Sequence, residues 1–188
     1  MSKSTFTTFV ALLRGVNVGG NNMISMASLR ASFEKLGFDE VATYINSGNV
    51  LFKAREADAR KLEQRIEAML SKQHQLGCKV VVRSLPEMAK LVKSLPPTWN
   101  GDARWRYNVI FLYHTIDSED LLKDLGPKSE IEEVVYRPGT LLWSAQVSQI
   151  TRTTMLKLSA RKTFQYMTVR NLNTTKRLYE LLKKMAEP

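Results

Sequence analysis

Val41-Ala42-Thr43-Tyr44-Ile45-Asn46-Ser47-Gly48-Asn49-Val50-Leu51-Phe52-Lys53 is the stretch that decides the fold. It reads as two short strands, Val41–Asn46 and Val50–Lys53, around a Ser47-Gly48-Asn49 turn. Asn, Ser and Gly suit such a turn because their side chains bond local backbone or tolerate left-handed φ. A hairpin is antiparallel, so its flanks settle the rest. Upstream, Phe6–Arg14 is a compact apolar strand. Ser25 can then cap a helix carrying Met26, Leu29, Phe33 and Leu36, which Gly37 ends. Downstream, Asp58 can cap a second helix with Leu62, Ile66, Met69 and Leu70 on one face, and Lys79–Arg83 is a Val-rich strand. Strand, helix, strand, strand, helix, strand is the split βαβ, ferredoxin-like order. It predicts an antiparallel sheet with helices on one face and the other face left to be covered or used.

The order recurs. Ser84 and Glu87 have capping-box spacing ahead of Met88, Leu91, Val92 and Leu95, and Pro96-Pro97 stops that helix. The boundary falls there, giving domains of residues 1–96 and 97–188. In the second, Arg106–Tyr113 reads as a strand and Ser118–Leu125 as a short helix. Glu132–Arg137 and Thr140–Ser144 pair around Pro138-Gly139, which suits a type II turn. Gln149–Leu158 reads as a helix, Thr163–Val169 as a strand, and Leu178, Leu181, Leu182 and Met185 as one face of a last helix. No obvious sequence repeat links the halves. The fold class is α+β, with two tandem ferredoxin-like units.

Composition narrows the function. The 188 residues are 44% hydrophobic, enough for a core, and carry a net charge of +10. The longest apolar runs, Phe9–Leu13 and Val109–Tyr113, fall far short of the ~20 residues that cross a bilayer. Cys78 is the single cysteine, so no internal disulfide forms and a cytoplasmic location is expected. The charge is uneven. Residues 151–188 carry +7, whereas Asp117–Glu133 carries −5. Cations gathered beside an acidic segment suggest a charged face that recruits anions, although exposed Lys and Arg also simply solvate helices.

Three segments are candidate sites. Leu13-Arg14-Gly15-Val16-Asn17-Val18-Gly19-Gly20-Asn21-Asn22 joins a strand to a helix start, where backbone N–H groups and the helix dipole can hold an anion. It lacks the Gly-Lys-Ser/Thr of a P-loop, and a long connection needing glycine explains it equally well. Asn46-Ser47-Gly48-Asn49 favours a plain hairpin, with Ser47 and Asn49 as secondary candidates. Arg170-Asn171-Leu172-Asn173-Thr174 opens the last helix, where Asn171 or Asn173 can cap. Lys176 and Arg177 follow without an acidic residue, although cations near a helix N-terminus oppose its dipole by about 0.3–1 kcal/mol each. An anion would reverse that penalty. Thr151-Arg152-Thr153-Thr154 repeats the hydroxyl-plus-arginine chemistry. His74, His114 and Cys78 have no partners at metal-ligand or nucleophile spacing, and Glu130, Glu132 and Glu133 read as a solvated cluster. No RNA-recognition signature accompanies the strand aromatics.

Leu12-Leu13-Arg14-Gly15-Val16-Asn17-Val18-Gly19-Gly20, then Tyr44-Ile45-Asn46-Ser47-Gly48-Asn49-Val50, then Arg170-Asn171-Leu172-Asn173-Thr174, strongly resemble a bacterial family catalogued as domain of unknown function 1697. The resemblance runs over nearly the whole chain. It implies tandem ferredoxin-like domains and no particular activity. Asn46 stands where that family often has glutamine, and Leu172 where it often has tryptophan.

The expected function is binding of a phosphate-bearing ligand by Arg14, Gly15, Asn17, Gly19, Gly20, Asn22, Ser47, Asn49, Arg152, Arg170, Asn171, Asn173 and Thr174, with the first and third segments converging on one anion. No metal is expected, and no cofactor or catalytic set is legible. The alternatives are nucleic-acid-backbone binding through the basic C-terminal region, an enzyme acting on a phosphorylated small molecule, and a structural or homodimerising module. No membrane partner is expected.

Overall fold

The computed structural model describes residues 6–17 and 23–187. The chain divides into two compact units, Met1–Lys90 with Arg177–Pro188, and Leu91–Lys176.

The first unit runs β1 (Thr7–Leu13), α1 (Met26–Lys35), β2 (Asp39–Thr43), β3 (Asn49–Ala54), α2 (Ala59–His74) and β4 (Val80–Ser84), followed by α3 (Leu85–Lys93), which crosses the division. Its four-stranded antiparallel sheet has the order β2-β3-β1-β4. The expected stop and start signals act as read. Ser25 Oγ accepts from Ser28 N, Asp58 Oδ1 accepts from Arg60 N, and Glu87 Oε2 accepts from Ser84 N at 2.7 Å. Phe9, Ala11 and Leu13 face the helices and form a core with Leu29, Phe33, Leu62, Ile66 and Leu70. Phe52 sits among Phe9, Phe33 and Phe38, with ring centroids 4.5–5.7 Å away. Burying each such side chain contributes roughly 1.5–3 kcal/mol. The alternate residues Val10, Leu12, Leu51 and Val81 are also buried, so the second sheet face is covered rather than open. At the β4 edge, α2 supplies acceptors four residues apart. Glu63 takes Val82 N–H at 3.0 Å and Glu67 takes Val80 N–H at 3.1 Å. The opposite edge, β2, is interrupted by a bulge between Asp39 and Ala42.

The second unit repeats this design with β5 (Trp105–Leu112), α4 (Asp120–Leu125), β6 (Glu132–Arg137), β7 (Thr140–Gln146), α5 (Thr154–Leu158) and β8 (Met167–Asn171), leading into α6 (Leu172–Ala186). The sheet order is β6-β7-β5-β8, again antiparallel throughout. Gly139 has φ 83°, as the second central residue of a type II turn requires. The protein is therefore α+β, built from two ferredoxin-like units. Two segments differ from expectation. Gln149–Leu158 is not one helix but a 3₁₀ turn, Val147–Arg152, followed by the five-residue α5. The last strand starts at Met167, because Lys162–Tyr166 forms a 3₁₀ turn whose Tyr166 carbonyl accepts from Tyr113 N–H.

Candidate functional site

In the first unit, the first and second sequence motifs meet. Leu13 N–H donates to Gly48 O at 2.8 Å, so the 44–49 turn closes onto the end of β1. A Cβ on Gly48 would lie 2.9 Å from Leu13 Cβ and 3.2 Å from Val16 Cβ. Gly48 also has φ 72°, so only glycine fits. Asn49 is fully buried, and its Nδ2 donates to Tyr44 O at 3.1 Å and Ser47 Oγ at 3.2 Å. These bonds hold the turn in shape, in keeping with the hairpin reading. Ile45 has φ 50°, a strained conformation for a β-branched residue.

Arg14 and Gly15 follow β1, both half-buried, and Gly15 takes φ 68°. Asn17 Nδ2 donates to Ile24 O at 2.8 Å and its Oδ1 accepts from Ile24 N at 2.7 Å. The side chain thus mimics a strand partner and clasps the two ends of the connection. That use competes with ligand contact. Gly19, Gly20 and Asn22 lie outside the described residues. Cys78 packs against the core, and burial pushes its thiol up to about 11 against an opposing hydrogen bond from Arg14 backbone. His74 Nε2 lies 2.9 Å from Ser32 Oγ, tying α2 to α1. Among the described residues no group of three His, Cys, Asp or Glu is arranged for a metal.

In the second unit, Arg170 lies on β8, opposite Val109 of β5. It is 9% exposed, and its NH1 donates to Thr168 Oγ1 at 3.0 Å and Val169 O at 2.9 Å. Burial lowers its pKa to about 10. The next residue, Asn171, caps α6, with its Oδ1 accepting from Thr174 N at 2.7 Å and its carbonyl from Thr175 Oγ1. Leu172 and Thr174 are buried, while Asn173, Lys176 and Arg177 face solvent. The first turn of α6 contains no acidic residue.

The Thr151–Thr154 segment differs from expectation. Its helix start already holds an anion, because Glu132 Oε1 accepts from Thr154 N at 2.9 Å. Glu132 Oε1 also accepts from Lys128 N at 3.1 Å, and Oε2 from Trp143 Nε1 at 2.7 Å. Glu132 is 3% exposed, so it is a buried organising carboxylate and not part of a solvated cluster. Burial would raise its pKa, yet the bonds from Trp143, Thr154 and Lys128 together hold it below the ordinary range. Arg152 is exposed and donates to Gln149 Oε1.

Strand register makes one further equivalence plain. Val82-Arg83-Ser84-Leu85 and Val169-Arg170-Asn171-Leu172 occupy the same place in the two units. Arg83 pairs opposite Val10 as Arg170 does opposite Val109. Each guanidinium donates to the carbonyl of its preceding valine at 2.9 Å, and each is followed by a helix-capping residue. Arg83 NH1 also lies 4.0 Å from Glu63 Oε1. The four-residue repeat was visible in the sequence, but strand arginines attract no attention without register.

No helix among the described residues is long and apolar enough to cross a membrane. A comparison with curated proteins finds no match. Among solved structures, the conserved bacterial protein SP0830 from Streptococcus pneumoniae is similar, with a TM-score of 0.84 and 24% sequence identity. The similarity covers 95% of this chain and 99% of that one, and it shows the shared fold. The profile of a family described as protein of unknown function (DUF1697) matches residues 6–143, which include the first two motifs, Arg83, β6 and the first half of β7 but end before Arg170. On that match, the chain belongs to the DUF1697 family.

Proposed function

We propose that the protein binds a phosphate-bearing anion, with Arg170 as its charged anchor. One observation carries the reading: Arg170 sits on β8 two residues ahead of the α6 start and is only 9% exposed, a buried cation beside a helix N-terminus. Taking a cation out of water is costly, so a buried arginine is held by the acceptors around it, and phosphate oxygens can join Thr168 Oγ1 and Val169 O among them. Arginine is suited to this because its planar fork binds phosphate oxygens in pairs. Asn173 and Lys176 lie exposed near the start of α6, and an anion there would relieve the dipole penalty of Lys176 and Arg177. Independently, in the first unit, Arg14 and Gly15, with the sequence candidates Gly19, Gly20 and Asn22, are proposed as an anion-binding segment of their own. Asn17, Ser47 and Asn49 serve it by shaping backbone.

A thermal-shift screen with inorganic phosphate, pyrophosphate, nucleotides and phosphorylated metabolites tests this. The expected result is stabilisation of the wild type by at least one of them, lost in Arg170→Gln and kept in part by Arg170→Lys. Stabilisation that persists in full in Arg170→Gln removes Arg170 from the site. The same readout on Arg14→Gln tests the first-unit segment by itself. Binding to a nucleic-acid backbone would instead weaken steeply with salt for any oligonucleotide.

A further inference from the structure

The β6 edge points to a second function, self-association. In the two-residue β6–β7 hairpin, Arg137 is opposite Thr140, Val135 opposite Leu142 and Glu133 opposite Ser144. Backbone groups of these odd-numbered residues therefore point at β7, and those of Glu132, Val134 and Tyr136 point outward. Two bonds agree: Glu132 N–H donates to Lys128 O, and Tyr136 O accepts from the Arg137 side chain. Among the described residues no hydrogen bond reaches the outward backbone groups of Val134. This edge is regular, whereas β2 is bulged and β4 is capped by Glu63 and Glu67. An open regular edge is a template for another strand. A groove of about 500 Å³ opens beside it, lined by Trp105, Ile131, Glu133, Val134 and Gln146 among others.

The sequence of the strand selects its occupant. Glu132-Glu133-Val134-Val135-Tyr136-Arg137 is self-complementary when run antiparallel to itself about Val135. We infer that two copies of this chain join edge to edge through β6, with Val135 facing Val135 of the second copy. In that register Val134 and Tyr136 exchange backbone bonds across the two-fold axis. Glu133 faces Arg137 of the second copy, twice. Glu133, Val135 and Arg137 share one sheet face, and Glu133 and Arg137 are exposed in the single chain. Arg137 releases Tyr136 O, and the incoming strand replaces that bond. The second copy's Pro138 turn then lies beside Glu132 and Ile131, at the groove. Opposite charges directly across a strand pair favour the register, and like charges oppose it. The strand has six residues, so the pairing alone buries less than the roughly 1,200 Å² of a standard interface. The dimer is accordingly reversible and concentration-dependent.

Sedimentation velocity on the full chain over about a hundredfold concentration range tests the proposal. Wild type should pass from monomer to dimer. Glu133→Arg and Arg137→Glu should each weaken self-association roughly tenfold or more by setting like charges opposite one another. Mixing the two variants should restore a heterodimer, because both cross-strand pairs become complementary again. Unchanged circular dichroism and melting temperature keep the readout separate from misfolding. A wild type that stays monomeric throughout overturns the proposal. So does a dimer that persists in both single variants, or two weakened variants that fail to recombine.

Discussion

Replacing Glu132 by glutamine removes one charge and turns one acceptor into a donor. The carboxylate receives three N–H groups: Trp143 Nε1 on one oxygen, and Thr154 N and Lys128 N on the other. Glutamine can keep its oxygen toward Thr154 and Lys128, but its NH₂ then meets the Trp143 N–H, donor against donor. A hydrogen bond to a charged group is worth about 1.5–3 kcal/mol against about 1 for a neutral one, and an orphaned buried donor costs about 1–3 kcal/mol. Losing the charge from two bonds (about 1–4 kcal/mol together) and orphaning the indole (about 1–3 kcal/mol) gives an expected destabilisation of about 2–7 kcal/mol. Urea denaturation followed by tryptophan fluorescence reads this directly, since Trp99, Trp105 and Trp143 all lie in the second unit. The pH dependence has a definite sign. The Glu132 pKa is lowered on folding, so its stabilisation is full above the ordinary carboxylate range and fades as pH falls through the depressed value. Glu132→Gln should flatten that acid limb. A loss under about 0.5 kcal/mol with an unchanged acid limb would refute the organising role.

Glycine positions give a paired test. Gly48→Ala should cost about 2–4 kcal/mol, combining positive φ with overpacking against Leu13, whereas Gly37→Ala, with open space around its Cβ, should cost about 1 kcal/mol of backbone strain; thermal melts of the two should separate clearly. Gln75 ends α2 with φ 53° and is exposed, so Gln75→Gly should stabilise by about 0.5–1 kcal/mol in the same assay. The Cys78 thiol, pushed up to about 11 by burial, should resist iodoacetamide at mildly alkaline pH in the native protein and react readily once unfolded.

The parts of the fold that were legible in the sequence are those set by local chemistry. Ser25, Asp58 and the Ser84–Glu87 box start helices with bonds spanning two or three residues, and Gly48 and Gly139 turn hairpins through their own φ. The segment from Val147 to Tyr166 was not legible, because its structure is imposed from a distance. Glu132 reaches across 22 residues to start α5 at Thr154, and Tyr113 bonds Tyr166. Periodicity in Gln149–Leu158 carries no trace of that carboxylate. The candidate site is a different matter. A helix start with cations and no acidic residue made Arg170 and Asn171 candidates, but only register revealed that Arg83 is the counterpart of Arg170, and only the folded loop that Asn17 spends its amide on Ile24.

Anchoring of a phosphate-bearing anion by Arg170 can be measured in solution. Isothermal titration of inorganic pyrophosphate and of ATP into wild type and Arg170→Gln measures it most directly. Saturable binding of at least one of them to the wild type is expected, weakened by about tenfold to a hundredfold in the variant, as loss of one charge-assisted contact implies. Equal affinity in both proteins, or no heat of binding from either compound in the wild type, would contradict it.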